Sequence, residues 1–306
     1  MNQYSGPSGS ATHEAAEPRP PVDRPPTPEL ERIARRIRLR DLDMIYGAGA
    51  GHLGSELSCA DLLVALYFGE LHFDPADPLA AQRDRFVLSK GHAAGILYVT
   101  LAEAGFIDAA ELSTWLQPES RLSGHPDRKL VPGVETNTGP LGHGLPVAVG
   151  MAKAAKLRGE PWRTYVVTGD GELQEGSNWE AAMAAAHFGL DNLTLLIDHN
   201  RFQQGAALAD TNDLAPLADK WRAFGWHVME VDGHDFESIF AGLDAARAER
   251  GRPSCLIAHT FKCEGISFAR DRVAWHHKVP NADEYARARA ELSGEATGAE
   301  GAGGAP

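Results

Sequence analysis

Two oxygen-bearing side chains, Asp170 and Asn200, stand thirty positions apart, each a short way past an apolar run. Tyr165-Val166-Val167-Thr168 and Leu193-Thr194-Leu195-Leu196-Ile197 predict buried strands. The stretch between them reads as a helix, opened by the S-x-x-E capping-box pattern Ser177-Asn178-Trp179-Glu180 and closed by a left-handed Gly189. Strand, helix and strand in that order form a parallel unit with a right-handed crossover. Asp170 and Asn200 are therefore expected at the same sheet edge, outside the carboxyl ends of the strands, where open α/β sheets bind ligands. A carboxylate beside a neutral carbonyl oxygen suits a small hard cation that also takes phosphate oxygens, and magnesium on a diphosphate is the natural case. Gly169 and Gly171 add no side chains, so their amides could approach phosphate closely. Gly-Asp-Gly alone would also fit an ordinary β-turn; the paired Asn200 favours the cation.

Histidine is the second chemical signal. Glycine precedes it at His52, His92, His125, His143 and His234, more often than 32 glycines and 13 histidines in 306 residues would give by chance. A side chain that must reach a ligand from a tight loop gains from a neighbour without one, although polar Gly-His loops need no ligand. The spacings contain no His-x-x-x-His or Cys/His set suited to zinc.

The elements that would position these groups can be read along the chain. Thr27-Pro28-Glu29 opens a helix with a capping threonine and carries Leu30, Ile33 and Ile37 at helical spacing. Its arginines, Arg32, Arg35, Arg36, Arg38 and Arg40, read as a solvated face. Gly47 to Ser55 breaks that helix, and Ser58 is expected to cap the next, with Asp61 in its first turn. Phe86-Val87-Leu88 is a short strand ending in Ser89-Lys90-Gly91-His92, and Ala94 to Phe106 reads helical. The glycine-rich loop from Gly133 to Gly144 feeds a helix over Val147 to Lys156, and further strands are expected at about Trp226–Val231 and Cys255–His259. This alternation predicts an α/β fold with one doubly wound, mainly parallel sheet flanked by helices.

Residues 1–27 and 293–306 lack apolar periodicity and read as disordered tails around one body at 28–292. No run is long and apolar enough to span a bilayer, and no basic-then-apolar leader is evident, so no membrane role and a cytoplasmic location are expected. Cys59, Cys255 and Cys263 form no C-x-x-C pair, which suits a reducing compartment. A formal charge of −13 argues against a nucleic-acid surface.

Gly169-Asp170-Gly171 with Asn200 resembles the thiamine diphosphate motif, and Glu172-Leu173-Gln174-Glu175-Gly176 with Trp179-Glu180-Ala181-Ala182 resembles transketolase. The resemblance runs from about Glu29 to Leu292 and implies the thiamine diphosphate-binding fold. It implies that Mg2+, with Ca2+ or Mn2+ as substitutes, is held by Asp170, Asn200 and the Phe202 carbonyl, together with the diphosphate. Glu175 matches a glutamate that links paired cofactor sites. His52, His92, His125 and His276 match histidines around the reacting carbon and the donor's hydroxyl. Gly139 and Leu141 would hold the aminopyrimidine and thiazolium, with Ser55, Lys90 and Lys262 close to the cofactor.

Departures are His143, where glutamine is usual, and Lys262-Cys263-Glu264-Gly265 in place of Lys-Gly-x-Gly. The second puts the shape of that loop in question. In the family, the glutamate that activates the aminopyrimidine belongs to a second α/β domain, which has no counterpart here. The resemblance therefore implies the diphosphate-binding subunit of a split transketolase, in a two-plus-two heterotetramer with a C-terminal, pyrimidine-domain subunit. It would pass a two-carbon ketol unit from a ketose phosphate to an aldose phosphate. Two alternatives are a related thiamine diphosphate enzyme of specialised metabolism, delivering the unit to a carrier protein or non-sugar acceptor, and a non-catalytic interaction subunit.

Overall fold

A computed structural model describes residues 19–294. The first helices are α1 (Thr27–Ala48), α2 (Leu53–Ser58) and α3 (Ala60–Gly69), followed by β1 (Arg85–Leu88) and α4 (Ala94–Glu103). Then come α5 (Gly144–Arg158), β2 (Thr164–Gly169), α6 (Gly176–His187), β3 (Leu193–His199) and a small antiparallel hairpin of β4 (Phe202–Gln203) and β5 (Ala206–Ala207). The chain continues through α7 (Leu208–Thr211), α8 (Leu217–Ala223), β6 (His227–Asp232), α9 (Phe236–Ala248), β7 (Ser254–His259) and α10 (Ala282–Ser293).

The main sheet has the order β1-β2-β3-β7-β6, and every pairing in it is parallel, in line with the sequence pattern. Both faces are apolar because alternate residues serve separate cores. Tyr165, Val167 and Leu196 pack with α1, α3, α4 and α9, whereas Val166, Leu195 and Ile197 pack with α5, α6 and α8. In the register of β2 with β3, Gly169 faces Asp198, so Asp170 and Asn200 leave together from the carboxyl edge. Gly189 does close its helix turn with φ +56°.

Several local expectations fail, each for a physical reason. α6 starts at Gly176 with Glu175 as its N-cap and no side-chain cap. The predicted box is absent because Ser177 Oγ donates to the Gly142 carbonyl at 2.7 Å. Ser58 does not cap α3 either, since its hydroxyl donates to the Ser55 carbonyl and, at 2.6 Å, to Asp198. α1 begins at Thr27 behind an uncapped Pro26, so Thr27 is the first helical residue. Arg38 is not solvated: it is buried and bidentate to Asp61, at 2.9 and 2.5 Å.

The boundary expected near residue 28 also shifts. Residues 19–26 form no helix or strand, but Arg19 pairs with buried Asp84, and Arg24 reaches Glu70 and Asp244 while lying over Phe240. Two cation anchors thus tie this segment to the body. Residues 1–18 and 295–306, read as tails, lie outside the described residues.

Candidate active site

Asp170 and Asn200 line one cavity at the carboxyl edge, together with Gly169, Gly171 and Phe202. The Asp170 carboxyl is 1% exposed and accepts the N–H of Gly171 on Oδ1 (2.8 Å) and of Arg201 on Oδ2 (2.5 Å). Arg201 adopts a left-handed backbone, φ +68°, in the turn that brings its amide there. Burial, reinforced by Asp198, pushes the Asp170 carboxyl up to about 7. A divalent cation would reverse that shift by favouring the ionised form. Asn200 lines the same cavity, and its two bonds set the sense of its amide. Its Nδ2 donates to Asp198 (3.2 Å), leaving Oδ1, which accepts the Phe202 N–H (3.2 Å), as the amide's acceptor end.

These donors fit a hard cation shared with a phosphate. Among the described residues no group of three His, Cys, Asp or Glu side chains could hold a metal alone. One carboxylate, one amide oxygen and a carbonyl need further oxygens, which a diphosphate supplies. The two glycine amides do not behave as expected, because the Gly169 N–H donates to Glu172 Oε2 (3.1 Å) and the Gly171 N–H to Asp170 itself.

Beneath the cavity lies a network of buried charges. Lys90 Nζ donates to Asp198 and to the Ser55 carbonyl (2.8 Å), and Asp198 also accepts the hydroxyls of Ser58 and Thr260. Asp198 is held below the usual carboxylate range by Lys90 and these donors, against the opposing effect of burial. Lys90 is correspondingly raised by Asp198. Glu172, also buried, accepts from Ser89 Oγ and from the Gly142 N–H (3.0 Å), joining the ends of β1 and β2 to the glycine-rich loop. That loop comes very close to the turn before α4: a Cβ on Gly91 would fall 2.5 Å from the Gly139 nitrogen, so only glycine fits.

Imidazoles line the same cavity. The His52 ring lies 5.2 Å from His92, 5.9 Å from His276 and 4.6 Å from His277, between centroids. Burial and neighbouring cations lower His52 to about 4 and His276 to about 3, and His92 moves the same way, so all three are neutral near pH 7. Lys262 Nζ lies 2.7 Å from His276 Nδ1. The ammonium is the donor there, so Nδ1 accepts and Nε2 carries the imidazole proton. We expect Lys262→Met to move His276 part of the way back towards 6.5, read from its ring-proton titration. An unmoved titration would show that burial alone sets it.

Most predicted site residues meet in this cavity: His52, Ser55, Lys90, His92, Gly139, Leu141, Gly169, Asp170, Gly171, Asn200, Phe202 and His276 all line it. Lys262 is buried beside it and connects through His276. His125 is exposed and sits behind Gly139, whose added Cβ would lie 2.9 Å from its ring. Glu175 is exposed outside the cavity. His143 is also exposed, and His234 instead bonds Asp61 at 2.7 Å. The Lys262–Gly265 loop keeps a glycine-like path, with Cys263 buried at φ +57° and its N–H on the Gly54 carbonyl (3.1 Å). Asp198, Glu172 and His277 were given no role from the sequence; for Asp198 the available signal was a charged residue near the end of an otherwise mainly apolar strand.

The family described as the transketolase thiamine diphosphate-binding domain matches residues 30–297. This chain belongs to the transketolase family. It is 47% identical over 268 residues to a subunit of the apulose-4-phosphate transketolase of Actinobacillus succinogenes, covering 87% of this chain and 97% of that one. It is 40% identical to the 6-deoxy-6-sulfo-D-fructose transketolase subunit SqwG of Clostridium sp., covering 97% of that relative. Human transketolase is likewise 40% identical over 250 residues, but the match spans only 40% of its length. The transketolase of Campylobacter jejuni superposes with a TM-score of 0.83 at 31% identity, over 88% of this chain and 43% of that one. The chain is thus similar along nearly its full span to transketolase subunits and to about two fifths of single-chain transketolases. Among the described residues no helix is long and apolar enough to cross a membrane, and all three cysteines are free and buried.

Proposed function

We propose that this chain is the diphosphate-binding half of a two-chain transketolase that uses Mg2+ and thiamine diphosphate in the cytoplasm. It transfers a two-carbon ketol unit from a ketose phosphate to an aldose phosphate. The observation that carries this reading is one cavity lined both by Asp170 and Asn200 and by neutral His52, His92 and His276. Asp170, Asn200 and the Phe202 carbonyl hold the metal, and the cofactor supplies the electron sink for breaking a carbon–carbon bond.

The chain's own groups position the substrate and move protons. A neutral imidazole offers one N–H donor and one lone-pair acceptor, so each ring can hold a substrate oxygen by a hydrogen bond. Lys262 fixes the tautomer of His276, so His276 Nε2–H is the donor available to a developing alkoxide. Lys90, neutralised by Asp198, holds Ser55 and the sheet edge together. The carboxylate that activates the aminopyrimidine comes from a pyrimidine-domain partner, in a two-plus-two assembly.

The test is turnover with and without the partner. With ketose phosphate, aldose phosphate, Mg2+ and thiamine diphosphate, the isolated chain should show none, and adding a pyrimidine-domain chain should restore it. Turnover by this polypeptide alone, purified free of host enzyme, would overturn the split assignment.

A further inference from the structure

Two acids close to the histidines take no part in the site described above. Asp41 on α1 and Glu56 on α2 are both 0% exposed. Glu56 Oε1 accepts the N–H of His52 at 2.9 Å, and Oε2 accepts the N–H of Ile96, in the first turn of α4, also at 2.9 Å. One carboxylate therefore joins the loop that carries His52 to the helix that follows His92. Asp41 lies directly against it. A Cβ on Gly95 would fall 2.2 Å from Glu56 Oε2 and 2.9 Å from Asp41 Oδ1, so both oxygens crowd one point. Neither Asp41 oxygen has a hydrogen-bond donor among the described residues.

Two ionised carboxylates in that position would each lose hydration and repel the other. A single proton removes both penalties. Its place follows from the bonds: Glu56 already accepts two N–H groups and is the better anion, so Asp41 is the acid. Burial and Glu56 raise Asp41 far above the carboxylate range, whereas the two amides oppose the rise at Glu56. The other titratable groups acting on the pair are Lys90, which favours the anion, and the buried Cys59 thiol, itself raised to about 12 and neutral.

We propose that Asp41 and Glu56 are an acid–carboxylate pair sharing one proton, and that the pair is the positioning device for His52 and His92. The first part depends on the fold alone. The second deepens the proposed function, since it assigns work to those histidines.

Thermal unfolding of the full chain against pH tests the proton. An acid kept protonated in the fold but ionised in the unfolded chain above pH about 4 makes stability fall as pH rises. Asp41→Asn, whose amide donates to Glu56 as the acid does, removes that slope. Its melting temperature should therefore rise relative to wild type, by a margin that grows with pH from about 4; a margin constant in pH would overturn the shared proton. Glu56→Gln tests the positioning, because an amide offers one acceptor for two N–H donors. The His52 amide and the His52 and His92 ring resonances of the isolated chain should shift; unchanged resonances would overturn it. In the complex, Glu56→Gln should lower kcat by about 10- to 100-fold with KM little changed, as expected for misplaced catalytic groups. If the wild-type complex proves inactive, the proposed function fails while the melting and resonance experiments still decide this inference.

Discussion

Asp170→Ala should abolish magnesium-dependent binding of thiamine diphosphate by the two-chain complex while the chain keeps its fold. Asp170 is the carboxylate of the donor set, and its removal leaves a divalent ion with neutral oxygens and the diphosphate alone. Leaving a buried charge without its partner costs about 3–5 kcal/mol, which corresponds to at least about a 100-fold rise in Kd. The fold should survive, because burial and Asp198 already make this carboxyl costly to ionise. Calorimetric titration of the cofactor with and without Mg2+ measures the effect. Wild-type affinity in the variant would refute the site.

Asp198→Ala should instead strike the fold. Lys90 would stay fully buried with its charge facing only the Ser55 carbonyl, and the Ser58 and Thr260 hydroxyls and the Asn200 amide would lose an acceptor. The expected loss of stability is about 3–5 kcal/mol, the range for breaking a buried pair. Urea unfolding gives the number directly. A loss below about 1 kcal/mol would mean that Lys90 finds another partner or is neutral, against the direction in which Asp198 shifts it.

The sequence-based expectations succeeded where the signal was local and periodic. Runs such as Tyr165–Thr168 and Leu193–Ile197 read as strands with both faces covered, and parallel order then brought Asp170 and Asn200 to one edge. They failed where a side chain with a good local use was taken by a distant partner. Ser58 bonds Asp198, 140 positions away, instead of capping α3. Arg38 leaves the solvent for Asp61, and Ser177 holds the glycine-rich loop instead of its own helix. Cap and surface rules describe what a residue does when nothing further away competes for it, and around a site something does.

The same logic explains the missed acids. Glu172 sits inside a motif read for its glycines, and nothing in its neighbourhood shows that Ser89 and the Gly142 amide will converge on it. Asp41 looks like one more charge on a polar helix face until α4 covers it. Long-range burial, which no window of sequence records, separates these carboxylates from ordinary surface ones.

The most direct measurement is a crystal structure of the complex with its partner chain, grown with thiamine diphosphate and Mn2+ in place of Mg2+. The account predicts an anomalous peak about 2.0–2.2 Å, the range for a small octahedral divalent ion, from an Asp170 oxygen, Asn200 Oδ1 and the Phe202 carbonyl, with diphosphate oxygens on its other side. A metal bound elsewhere, or a diphosphate held at this edge with Asp170 and Asn200 turned away from it, would contradict it.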